Sequence, residues 1–137
     1  ERIAKVANAD LFEIKPTMPY TNADLDWRDK TSRSSVEMSN PDSRPKIANK
    51  LDNMADYDTV LIGFPIWWYV APIIIDTFVE NYDLSGKTIV PFATSGGSGM
   101  GKTVDVLSKL SPNAKWQTGK MVNGISEKEI KNWVSNL

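Results

Sequence analysis

The sequence predicts an α/β protein built on a doubly wound parallel sheet, and three observations predict it. Val60–Phe64 and Ile89–Ala93 are short, nearly continuous apolar runs, the mark of strands buried on both faces. Each run breaks at its carboxyl end into a loop rich in Pro, Gly or aromatic residues: Pro65-Ile-Trp-Trp-Tyr-Val-Ala-Pro72 after the first, Thr94-Ser-Gly-Gly-Ser-Gly-Met-Gly101 after the second. Each loop then hands over to a segment with helical spacing, so strand and helix alternate. In an open parallel sheet ligands sit outside the carboxyl ends of the strands. These two loops are therefore the first place to look for function.

The elements follow in order. Glu1–Ala7 places Ile3, Ala4 and Ala7 on one side and reads as the last turns of a helix, stopped near Asn8. Asp10–Lys15 reads as a short strand ended by Pro16. Residues 16–45 form a polar insert, too long for an ordinary loop, and so an ordered excursion, a lid or a mobile segment. Trp27 within it argues for anchoring. Lys46–Met54 carries Ile47, Leu51 and Met54 at helical spacing behind Pro45. Thr59–Phe64 is a strand, and Ala71–Tyr82 a helix with Ile74, Ile75, Phe78 and Val79 inside. Ser85-Gly86 is a turn, Thr88–Thr94 a strand, and Lys102–Leu110 a helix carrying Val106, Leu107 and Leu110. Trp116–Val122 is the last strand; Ser126-Glu-Lys-Glu129 is a capping box opening a final helix with Ile130, Trp133 and Val134 inside.

The totals narrow the chemistry. The 137 residues suit a single domain with its own core. A net charge of -1 gives no bulk field for nucleic acid or a membrane surface. Without cysteine or histidine, the chain holds no disulfide, no thiolate or imidazole metal site and no Ser-His-Asp triad. The cysteine-free composition fits a reducing cytoplasm, and no apolar run approaches the ~20 residues of a membrane-spanning helix. The first residue, Glu1 rather than Met, suggests that the written chain begins inside something longer.

In the aromatic loop Trp67, Trp68 and Tyr69 are consecutive and cannot all enter one core. Along an extended loop alternate residues face opposite ways. One Trp would then fill the protein while its neighbour stays free to stack on a flat ligand. The plainer reading is that all three seal a helix against the sheet. The second loop fits the phosphate-loop pattern G-x-x-x-x-G-K-[ST] at Gly96–Thr103. Against a nucleotidase, no apolar strand ends in an acidic residue placed to hold Mg²⁺. The loop also comes late, with chain for only one strand and one helix after it. The other use of the same glycines is backbone access. Gly96, Gly97 and Gly99 let N–H groups approach a ring edge, while Thr94, Ser95 and Ser98 add hydroxyls.

Gly63-Phe-Pro-Ile-Trp-Trp-Tyr-Val-Ala-Pro72 and Pro91-Phe-Ala-Thr-Ser-Gly-Gly-Ser-Gly99 resemble the two flavin-contacting loops of the flavodoxin-like family, in particular its short bacterial members. The likeness extends over essentially the whole chain, including Asp24-Leu-Asp-Trp27 and the final helix. It implies a flavodoxin-like sheet of order 2-1-3-4-5 and FMN as cofactor. Pro65, Ile66, Trp67, Trp68 and Tyr69 would flank the isoalloxazine; Thr94, Ser95, Gly96, Gly97, Ser98 and Gly99 would hold its pyrimidine edge. The departure is at the start. The family's first, central strand and its phosphate-wrapping loop do not precede Glu1, so that strand is expected to be absent from between Leu11–Ile14 and Val60–Phe64. Those segments would then lie roughly 10 Å apart instead of hydrogen-bonding directly.

The implied function is redox. Two versions compete: a one-electron shuttle to a partner protein, and NAD(P)H-dependent reduction of small quinone-like substrates. Shuttles are usually strongly acidic, and this chain is nearly neutral. Neither Phe64–Pro72 nor Thr94–Gly101 carries an acidic residue that would repel negative charge at the flavin. No side chain stands out as acid, base, nucleophile or metal ligand, which flavin chemistry does not require. Expected partners are FMN, a redox protein or a quinone-like compound, and a second copy as a homodimer, with neither nucleic acid nor membrane. A flavodoxin-fold binding module that has lost its cofactor is the alternative, and a phosphate-loop nucleotide binder a remote one.

Overall fold

The computed structural model describes residues 1–137. The two apolar runs become β1 (Thr59–Pro65) and β2 (Thr88–Thr94), parallel neighbours in register from Thr59 opposite Thr88 to Pro65 opposite Thr94. Around them lie α1 (Arg2–Ala7), α2 (Arg33–Ser39), α3 (Ile73–Asn81), α4 (Thr103–Leu110) and α5 (Glu127–Ser135), with the short strands β3 (Lys115–Trp116) and β4 (Lys120–Met121). Both short strands run parallel to β2, so the sheet reads β1-β2-β3 with β4 continuing the β3 edge. This matches the expected parallel α/β sheet in the part of the 2-1-3-4-5 order that these strands cover.

Helices cover both faces. One face of the sheet carries Ile62, Phe64, Ile89 and Ala93, buried with Ile74, Ile75, Phe78 and Val79 of α3 and Leu107 of α4. On the other face Phe92 meets Trp133 of α5 edge-on, and α1 packs on α5. Gly63 lies opposite Phe92 in the register, and its missing Cβ leaves room for that ring to lie across the strand. The predicted ends of α1 and α5 hold. Asn8 closes α1 in the left-handed region at φ 52°, and Ser126 caps α5 by accepting from the Glu129 N–H.

Three expected elements differ. The last strand is two pieces, because β2 advances three residues from Ile89 to Phe92 while its neighbour advances four from Trp116 to Lys120. The extra residue is a bulge. Its cause is Pro91. The N–H groups of Gln117 and Val122 donate to Ile89 and Ala93, so alternate residues of β2 face this edge and Pro91 between them has no N–H to give.

The expected strand at residues 10–15 is extended but belongs to no ladder. Phe12 and Ile14 turn inward, Phe12 to 6.2 Å from the Phe78 ring, while the backbone is met by Asn49, which accepts from Lys15 N–H and donates to Glu13. No backbone hydrogen bond joins residues 11–14 to β1, whose only strand partner is β2.

The expected helix at Lys46–Met54 does not form; the chain there is irregular, bent at Ala48 and Asp52. Lys46 and Ala48 bond to Thr17 and Lys15, Leu51 N–H donates to the Tyr82 hydroxyl, and only a short 3₁₀ turn follows at Met54–Asp56. Asn49, Asp52 and Asn53 are poor helix formers, and Ile47 and Leu51 reach the core without a helix. The insert contains α2, capped by Ser32, and its Arg44 pairs with Glu80 on α3.

Candidate functional site

The aromatic loop leaves β1 through Ile66, whose N–H donates to Thr94 O at 2.8 Å. Trp67 and Val70 then exchange backbone bonds at 2.8 and 3.1 Å, with Trp68 at φ 46° and Tyr69 at φ 69° between them. Two positive-φ residues inside a reciprocally bonded pair make a type I′ hairpin turn, normally built from Asn and Gly. The loop is therefore not the extended segment that its alternation suggested. Bulky residues in this region cost on the order of 1–3 kcal/mol each and persist only where the surroundings hold them.

Those surroundings come largely from the insert. The Trp67 ring lies edge-on to Tyr20 with centroids 5.6 Å apart, and Tyr20 donates its hydroxyl to Glu37 at 2.5 Å. Arg33 stacks over Tyr20 at 3.9 Å and bonds both Glu37 and Met18 O. Burial, then the Glu37 carboxylate, push the Tyr20 phenol above its ordinary range, so it stays protonated. Trp67 is thus the inward ring. Trp68 and Tyr69, 44% and 65% exposed, stand at the tip of the turn.

The glycine loop is organised by Ser95. Its Oγ accepts from the N–H groups of Gly97 and Ser98, at 3.1 and 2.9 Å, and lies 2.9 Å from the Ser98 hydroxyl. Asn123, beyond β4, clamps the Ser95 backbone by accepting from its N–H and donating to its carbonyl. One of the three amides expected to meet a ring edge, that of Gly97, is therefore engaged within the loop, and so are the Ser95 and Ser98 hydroxyls. Gly96 and Gly99 N–H make no bond inside the chain. No atom lies within 4 Å of the positions their Cβ atoms would take, so a planar edge can come close.

The two loops are laced at their far ends as well, by Lys102 N–H to Tyr69 O at 3.0 Å. Gly101, at φ 55°, allows this, because a Cβ there would strike the Tyr69 carbonyl. Thr103, the hydroxyl position of the phosphate-loop pattern, is fully buried and donates to Met100 O at 2.7 Å. It turns away from any ion that pattern would hold.

All eleven expected site residues thus fall in two loops at one end of the sheet. Pro65 and Thr94 sit opposite each other as the last register pair, Ile66 packs against the core, and Trp67 turns toward Tyr20. Sequence reasoning missed Asn123 and Tyr20. Asn123-Gly124 directly after the final strand was a signal, since it too lies at a carboxyl end; nothing near Tyr20 in sequence marks it. A cavity of about 190 Å³ opens beside the turn, lined by Trp27, Ile66, Trp67 and Trp68. A larger hollow of about 370 Å³ lies beyond the opposite end of β2, around Asp83–Ser85 and Leu110–Asn113, and touches none of the expected site residues. No helix is long and apolar enough to cross a membrane.

The bare backbone edge at Gly96 and Gly99 thus lies at the same end of the sheet as the exposed rings of Trp68 and Tyr69. The sequence profile described as flavodoxin matches residues 1–137. A candidate flavoprotein from Bacteroides eggerthii is similar at 50% identity and a TM-score of 0.93, over 98% of this chain and 85% of that one. One from Bacteroides uniformis is similar at 48% identity and the same TM-score, over 98% and 86%. A Lactobacillus acidophilus flavoprotein in complex with FMN shares the fold at 20% identity and a TM-score of 0.66, over 96% and 88%. No curated protein matches the chain.

Proposed function

The chain belongs to the flavodoxin family, and from that premise we propose that it binds the ring system of FMN between its two loops and passes electrons from NAD(P)H, which is oxidised, to small quinone-like compounds, which are reduced to the quinol, in the reducing cytoplasm. The observation that carries this reading is the lacing of a strained aromatic turn to a bare glycine loop at the carboxyl ends of β1 and β2. The residues fit the ring: Gly96 and Gly99 offer amides without side chains, and Trp68 and Tyr69 offer exposed faces. FMN, once bound, supplies the electron-transfer chemistry.

The chain's own residues orient and shield. Trp68 and Tyr69 exclude water from a ring face, Ser95 and Asn123 hold the glycine loop in shape, and Tyr20 braces the turn through Trp67. With no acidic residue in Phe64–Pro72 or Thr94–Gly101, nothing in these loops opposes negative charge on the ring. That favours reduction by electron pairs over single-electron shuttling, as does the near-neutral net charge.

The test is a titration of the protein with FMN, followed by visible absorption and loss of flavin fluorescence. Trp68→Ala is expected to weaken binding by ~1–3 kcal/mol, the scale of one stacked ring. Lys102→Ala is expected to leave it unchanged. An unaltered affinity in Trp68→Ala would remove the stacking role, and absence of FMN binding altogether would favour the cofactor-free binding module.

A further inference from the structure

The cavity beside the aromatic turn has four walls, Trp27, Ile66, Trp67 and Trp68, and none of them is polar or charged at the ring face. No residue of Thr94–Gly99 lines it. It lies on the insert side of the turn, whereas the Tyr69 carbonyl on the other side is bonded to Lys102. Two of the walls are held from within the chain. Trp67 is braced by Tyr20, and Trp68 sits in a hairpin turn whose ends are hydrogen-bonded. Trp27 rises from a stretch of short turns: Asp26 accepts from Arg28 N–H, Asp29 from Thr31, and Asp24 O from Ser34 N–H. The Arg28 guanidinium lies 5.4 Å from the Trp27 ring centroid.

An indole that is 66% exposed in an otherwise polar insert, sharing an open, mainly apolar cavity with two more indoles, suits apolar flat surface. A volume of about 190 Å³ takes one small fused-ring molecule, not a dinucleotide or a peptide. From this geometry we infer that the slot is a binding subsite for a small, uncharged, planar aromatic compound of the naphthoquinone size class, separate from the glycine-loop edge. The inference rests on the proposed function only in calling this compound the second reactant. The binding site itself stands on the walls described.

The experiment therefore reads binding first. The protein is titrated with 2-methyl-1,4-naphthoquinone and followed by tryptophan fluorescence, with and without FMN. Wild-type protein is expected to show saturable quenching in both states. Trp27→Ala, which removes a largely exposed ring and spares the core, is expected to raise the quinone dissociation constant roughly five- to tenfold, while FMN affinity stays within twofold. Trp27→Phe is expected to recover most of the quinone affinity. If the protein binds FMN, the KM for the quinone is expected to rise by the same factor in Trp27→Ala, with kcat little changed. If wild-type binds no FMN yet quenches saturably and responds to Trp27→Ala, the slot stands and the redox reading falls. If Trp27→Ala weakens FMN and leaves the quinone constant unchanged, the slot belongs to the cofactor and the inference is overturned. Unsaturable quenching, alike in wild-type and Trp27→Ala, overturns it too.

Discussion

Asp76 shows what a single residue costs when an element is covered on all sides. The apolar stripe of α3 pointed to Ile74, Ile75, Phe78 and Val79, but the structure buries every residue from Ile73 to Val79, Asp76 at 6% exposure among them. The stripe was legible. The burial of its outer flank, Ile73, Asp76 and Thr77, was not, and the charge nearest Asp76 that opposes its burial, Arg44, comes from distant chain. Burial raises the Asp76 carboxyl to about 6; Arg44 works against the shift and Glu80 with it. A raised acid pKa makes folding less favourable as pH rises. Below about pH 4 both folded and unfolded forms carry the proton and nothing is lost. Between about 4 and 6 the unfolded chain ionises while the folded one resists, and above 6 the penalty is complete, on the order of 2–3 kcal/mol. Asp76→Asn is expected to raise the urea midpoint at pH 7.5 and leave it nearly unchanged at pH 4. An equal shift at both values would assign the effect to packing instead.

Among the elements, the two apolar strands were easy to read, although only β2 is buried over most of both faces; β1 buries Ile62 and Phe64 and leaves Thr59, Gly63 and Pro65 exposed. β2 spans Thr88–Thr94 as expected, and β1 differs from its expectation only by Pro65. Residues 46–54 misled because Ile47, Leu51 and Met54 satisfy a helical spacing, while their environment asks only that three side chains point inward. The loops follow the same logic. Glycine content disclosed an accessible backbone in residues 94–101, yet the shape of that loop is set by Ser95 and by Asn123 28 residues later. Pairing across such a distance leaves no local pattern. Asn123→Ala removes both clamps at an exposed site, so overall stability is expected to fall by no more than ~1 kcal/mol. FMN affinity is expected to fall severalfold, because the loop must be ordered at the moment of binding. Calorimetry of ligand binding alongside thermal unfolding separates the two effects. Unchanged affinity would mean that Ser95 holds the loop unaided.

For the molecule as a whole, the doubly wound class and its parallel sheet were legible from alternation, and the edge of the sheet is where the sequence reading and the fold meet least completely. β1 bonds to β2 along one side only. The bonds from Thr88 N–H to Asp58 O and from Ile66 N–H to Thr94 O fix which residues face β2. Residues alternate across a parallel strand, so Val60, Ile62 and Phe64 bond inward, while Thr59, Leu61 and Gly63 present N–H groups to the outer edge. Residues 11–14 pass nearby without bonding to that edge, although Phe12 and Ile14 reach the same core. An open edge on a strand this apolar takes a further strand, and hydrogen exchange reads directly whether one is there. With the edge open, the amides of Leu61 and Gly63 are expected to exchange much faster than those of Ile62 and Phe64. Leu61→Pro removes one outward N–H without touching a bond to β2, so it is expected to leave the Ile62 and Phe64 amides protected. Equal protection of the Leu61 and Gly63 pair and the Ile62 and Phe64 pair would show that the outer edge is already satisfied by another strand.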